Sequence, residues 1–128
     1  MRYQYLLITI IFICAFTNSY SQILKAVVSK SDSIISITAN IRRDYRIFGY
    51  KKPDTSSKKL ILFSVFTNDV ENNLFKCPYG SYYQTSSMQN MKIKFLAKNG
   101  LFIKAAIIKD NATSEIIYFL KKWIDFEK

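Results

Sequence analysis

From residue 22 onward the chain alternates short apolar runs with polar clusters, and the runs are rich in Ile, Phe, Tyr and Val. That is strand-and-turn punctuation. It predicts strands over Ser33 to Ile41, Tyr45 to Tyr50, Lys59 to Thr67, Met91 to Lys98, Leu101 to Lys109 and Glu115 to Trp123, with residues 22–30 fitting more than one template. The expected fold class is all-β, a mainly antiparallel small sandwich or barrel. Leu60, Ile61, Leu62, Phe63, Val65 and Phe66 run almost unbroken, as a strand covered on both faces does.

Asn99-Gly100 stands between two apolar runs, and a type I′ turn needs positive φ at both central residues, which this pair tolerates best. Pairing outward from Lys98 and Leu101 predicts a core face of Met91, Ile93, Phe95, Ala97, Phe102, Ala106 and Ile108, with Lys104 its only charge. On the other face Lys92, Lys94 and Lys98 oppose Ile107, Ala105 and Leu101, so Leu101 to Lys109 is expected to be an interior strand. The C-terminal segment admits two readings. Ile116, Phe119, Leu120, Trp123 and Ile124 also fit one stripe of a helix, which would make the fold α+β. The turn signal Asp110-Asn111 and the β-branched and aromatic residues at 116–119 favour a strand.

The first 21 residues change the picture, because they read as an export signal. Arg2 is a positive n-region, Leu6 to Phe16 is an apolar run too short to span a bilayer, and Ser19 and Ser21 are small residues ahead of a cut before Gln22. The expected organisation is a signal peptide over residues 1–21 and a single β-rich domain over residues 22–128, with no transmembrane anchor after cleavage. The expected location is periplasmic or secreted. Cys14 would be discarded with the signal, leaving Cys77 alone and no internal disulfide. Ile11-Phe12-Ile13-Cys14 lacks the small residue that precedes a lipoprotein cysteine, which argues against a lipid anchor.

The chain carries 19 Lys plus Arg against 9 Asp plus Glu, a formal net charge of +10. Cleavage would remove only Arg2. In an exported protein such an excess points to an anionic glycan, a lipid headgroup or another polyanion, and makes nucleic acid an unlikely partner. The competing explanation is solubility. The charge is densest from Arg42 to Lys59, where seven basic residues face only Asp44 and Asp54. Tyr45, Phe48 and Tyr50 are interleaved there, and aromatic platforms among cations suit stacking on sugars. The candidate binding residues are therefore Arg42, Arg43, Tyr45, Arg46, Tyr50, Lys51 and Lys52. The alternative is a charged edge hairpin whose aromatics turn into the core.

Other chemistry is thin. Asn68, Asp69, Glu71, Asn72 and Asn73 gather oxygens that Ca²⁺ would accept, but without the glycine and spacing of an EF-hand, so a turn is the better reading. Cys77-Pro78-Tyr79-Gly80 presents a thiol, yet the chain has no histidine, which excludes Cys-His catalysis and the usual zinc ligand sets. Tyr79, Tyr82 and Tyr83 could line a pocket or bridge core and water. No metal, cofactor or catalytic residue is expected. Asn111-Ala112-Thr113 matches a glycosylation acceptor, which a bacterial origin would make irrelevant.

The stretches FGYKKPD (48–54), LFSVFTNDVENN (62–73) and CPYGSYY (77–83), with the Asn-Ser-Tyr-Ser ending of the signal, resemble small secreted proteins of Bacteroidetes-type bacteria. The resemblance implies an envelope or secreted location and carries no site residue across. The sequence thus points to a small exported non-enzymatic binding domain, with a small-molecule carrier built on a β-barrel pocket as the alternative.

Overall fold

The computed structural model describes residues 26–42 and 44–128. The expected signal peptide, the first part of the segment 22–30, and Arg43 lie outside the described residues. The fold is mostly β, with two mainly antiparallel sheets. Its strands are β1 (Ala26–Val28), β2 (Ile35–Ser36), β3 (Arg46–Tyr50), β4 (Lys59–Ser64), β5 (Ser81–Tyr82), β6 (Met91–Asn99), β7 (Phe102–Lys109), β8 (Ala112–Leu120) and β9 (Ile124–Phe126). One short helix, α1 (Thr67–Glu71), follows β4. The larger sheet has the order β5-β4-β3-β8-β7-β6 and the smaller one β2-β1-β9.

The smaller sheet covers one face of the larger. Ala26, Val28, Ile35 and Ile124 from the small sheet cluster with Ile47, Ile61, Phe63, Ile93, Ile103, Ile107, Ile117 and Phe119 from the large one. Neither sheet closes into a barrel, so the barrel half of the expectation gives way to an open two-layer arrangement. β4 is interior and buried on both faces, as its unbroken apolar run predicts: Ile61 and Phe63 point into the core while Leu62 is buried on the other side.

Three local expectations are corrected. Only Ile35–Ser36 of the predicted strand 33–41 pairs continuously, because this segment changes partners, bridging Lys94 from Ile34, Gln84 from Thr38 and Asp44 from Asn40. The strand predicted to reach Thr67 stops at Ser64, whose hydroxyl accepts from Phe66 N–H (3.0 Å) and donates to Asp69 (2.5 Å), turning the chain into α1. The predicted Asn-Asp turn at 68–73 is thus a helical turn followed by a loop.

The third correction is a register. Asn99 pairs with Phe102, so the two turn residues are Gly100 and Leu101 rather than Asn99 and Gly100. Gly100 has φ +59 while Leu101 keeps a negative φ, the pattern of a type II′ turn with glycine first. A bulge at Leu96 absorbs one residue, after which Phe95 opposes Ala105 and Ile93 opposes Ile107. The slip flips β7: Ile103, Ala105 and Ile107 face the core, while Phe102, Lys104, Ala106 and Ile108 face outward. The predicted register would have buried Lys104 without a partner, a cost the observed one avoids. The two-positive-φ turn occurs instead at Asp110 (φ 51) and Asn111 (φ 64), joining β7 to β8. β7 is interior, and residues 112–120 form a strand, so the helical reading of the C-terminal segment does not hold.

Candidate functional site

The sequence cluster from Arg42 to Lys52 does not stay together, because β3 runs through its middle. Arg42 and Tyr45 precede the strand, and Lys51 and Lys52 follow it. Five strand residues at about 3.3 Å each hold the two groups at opposite ends of the sheet. Arg46 at the start of β3 is engaged: its Nε donates to Asp69 Oδ2 at 2.6 Å and its Nη2 to Oδ1 at 3.2 Å. Its guanidinium lies over Phe66 at 4.7 Å and over Phe75 at 5.2 Å. Asp69 is 1% exposed. The Arg46 hydrogen bonds hold its carboxyl below the usual carboxylate range, and Ser64 helps against the opposing effect of burial.

Tyr50 is buried, meeting Phe102 edge-on at 6.3 Å. Burial pushes its phenol pKa up and so keeps it neutral. Tyr45 is exposed and stacks obliquely on Phe66 at 6.3 Å. Lys51 and Lys52 belong to a loop closed by Lys51 N–H to Lys58 O (2.9 Å). Inside that loop Asp54 accepts from the N–H and hydroxyl of Ser56 at 2.9 and 2.8 Å. Those bonds lower the Asp54 pKa.

What the sheet assembles instead is a cross-strand row on its outer face. Lys59 opposes Tyr50, Tyr50 opposes Tyr118, and Tyr118 opposes Lys104. Directly opposite residues share a face, so four strands contribute a Lys-Tyr-Tyr-Lys row. At about 4.8 Å per strand it spans roughly 14 Å between the outer Cα atoms. The next row on β6 and β7 sets Lys94 against Ala106 and Lys92 against Ile108. Lys59 Nζ sits 5.3 Å from the Phe48 ring, and Phe48 in turn meets Phe75 at 5.1 Å. Phe75 and α1 thereby cover the β3–β4 half of this face, while Tyr118, Ile116 and Leu120 on β8 stay partly exposed. By alternation and register, no Asp or Glu of strands β3, β4, β6, β7 or β8 shares this face.

Lys104, Lys94 and Tyr118, which this row brings into the candidate site, are not singled out by reading the sequence locally. The available signal was Lys104 itself, a lone charge on a supposed core face. The tyrosine tract lies elsewhere: Tyr79 and Tyr82 pack against the core and Tyr83 donates to Glu71 at 3.2 Å. The oxygens of 68–73 are spent internally. Asn72 Nδ2 donates to Asn68 Oδ1 at 2.5 Å, and Asn73 binds the backbone of Cys77 at 3.1 Å in both directions. Among the described residues no three acidic or cysteine side chains converge as a metal site would need, and no helix is long and apolar enough to cross a membrane. Cys77 is 2% exposed, and burial pushes its thiol up despite the nearby positive charge of Lys59. No protein family, no curated protein and no solved structure matches this chain.

Proposed function

We propose that this is a small exported, non-enzymatic binding domain whose partner is an anionic polymer of the cell envelope or its surroundings, an acidic glycan in the first place. The observation that supports it most is the outer face, to which the strands themselves contribute no Asp or Glu, on which Lys59, Lys104, Lys94 and Lys92 surround Tyr50 and Tyr118. Lysines held at fixed cross-strand positions present repeated charge to a linear polyanion, and the partly exposed Tyr118 ring offers a surface for a sugar ring. Lys51 and Lys52, in the loop that follows Tyr50, extend the positive charge at that end of β3. The net charge of +10 for the full chain, which loss of Arg2 would lower by only one, supports long-range attraction of such a partner.

The test is retention of the exported protein on an immobilised sulfated polysaccharide as salt is raised. Replacing Lys59, Lys94 and Lys104 together by Gln should bring elution to lower salt and flatten the salt dependence. Replacing Lys30, Lys98 and Lys128 together removes the same charge on the side of the small sheet, away from this face. If both triple variants lose retention equally, net charge alone is at work and the face is not a site.

A further inference from the structure

The two ends of the large sheet differ in kind. At one end lie the loop 51–58 and the turn Asp110-Asn111, which are polar and charged. At the other end the chain exposes large apolar side chains on turns: Leu101 is 80% exposed, Ile41 70%, Tyr45 53% and Phe66 42%. Register places them at the same end of the sheet. Leu101 O accepts from Lys121 N–H at 2.8 Å just after β8. β3 runs antiparallel to β8 through Tyr50 and Tyr118, so its start, with Tyr45 and the turn carrying Ile41, emerges at the same end. Val65 N–H to Tyr45 O (3.0 Å) brings Phe66 there as well. Two strand widths, about 10 Å, separate β3 from β7.

Cations stand beside the turn tips. Arg42 is exposed in the turn beside Ile41, and Lys121 and Lys122 line a groove with Leu101, Leu120 and Asp125. Lys122 Nζ lies 4.5 Å from the Trp123 ring, and Lys98, three residues before Leu101, lies 4.8 Å from the Phe126 ring. Asp125 is the acid of this groove, against Lys121 and Lys122. Exposed apolar side chains gathered at one end of a molecule and rimmed by polar residues mark an interaction site. Aliphatic and aromatic tips flanked by Lys and Arg match one surface chemically, the headgroup region of an anionic bilayer, where the tips enter the acyl boundary and the cations meet phosphate.

We infer that this end of the molecule docks on an anionic lipid surface, with Leu101 as its most deeply inserted side chain and Lys121 and Lys122 as headgroup contacts. The inference stands on the apolar tips and is separate from the polyanion reading of the sheet face, so either can fail alone.

The test uses the exported product of the full chain and vesicles of phosphatidylcholine with or without a minority of phosphatidylglycerol, at low ionic strength. The wild type should co-sediment with the anionic vesicles. Leu101→Asp, at a position too exposed to disturb folding, should weaken binding about tenfold or more. Lys121→Gln with Lys122→Gln should weaken it roughly twentyfold on anionic vesicles and leave neutral ones unaffected. A Leu101→Trp reporter should be quenched by lipids brominated in the acyl chains. No association of the wild type, unchanged binding of Leu101→Asp, or an unquenched reporter would overturn the inference. So would a dimer that Leu101→Asp dissociates, which would make a second copy the occupant of these tips.

Discussion

Arg46 on β3 and Asp69 on α1, 23 residues apart, meet through two hydrogen bonds, the shorter 2.6 Å. The contact fixes α1 onto the sheet and leaves the basic segment with one cation fewer for an outside partner. Arg46→Met would leave the buried Asp69 carboxylate with Ser64 alone, and should destabilise the protein by on the order of 2–4 kcal/mol, the range for breaking a buried pair with one partner partly exposed. Chemical denaturation of the two proteins measures this.

The same pair sets an acid limb. The Asp69 pKa is depressed in the folded state, so its contribution is present above the unfolded value of about 3.9 and is lost as pH falls through the lower folded value. The melting temperature of the wild type should therefore exceed that of Asp69→Asn at neutral pH, and the gap should close on acidification below about pH 4. A gap independent of pH would show that charge on Asp69 contributes nothing.

Gly49 marks a close approach in the core. A Cβ there would collide with Ile117 Cδ1 and lie 2.8 Å from Ile61 Cγ2, and both isoleucines are fully buried. Gly49→Ala should cost about 1–3 kcal/mol through overpacking. Combining it with Ile117→Val should recover part of that loss, which a double-mutant cycle would detect.

The two hairpin turns respond oppositely to substitution. Gly100→Val has space but a φ of +59, and should destabilise by about 1 kcal/mol or more through backbone strain. Asn111→Gly places glycine at the second position of a two-residue turn with positive φ at both residues, and should be neutral or stabilising by a few tenths of a kcal/mol. Thermal melts of the pair distinguish them.

Cys77 should resist thiol reagents in the native protein at neutral pH, because burial both shields the sulfur and disfavours the thiolate. Labelling should become rapid only in denaturant. Fast native labelling would place the thiol on the surface.

Reading the chain alone determined what local chemistry encodes. Fold class followed from run length and residue type, since β-branched and aromatic runs of this length between turn residues seldom form anything but strands. The interior position of β7 and the two-sided burial of β4 were also legible, because a strand covered on both faces must be apolar on both. Net charge and the absence of histidine are sequence properties outright.

Tertiary structure decided which side chains share a surface. A one-residue shift at Gly100, compensated by the bulge at Leu96, reverses the faces of β7, and no local propensity separates the two registers strongly. The choice lies in what the rest of the sheet does with Lys104, which β8 places beside Tyr118. Likewise, Arg42 and Lys51 are near in sequence but separated by a strand, whereas Lys59 and Lys104 are 45 positions apart and share one cross-strand row. Charge density along a chain is a one-dimensional property; a binding face depends on pairing between distant segments, and only the assembled sheet specifies that pairing.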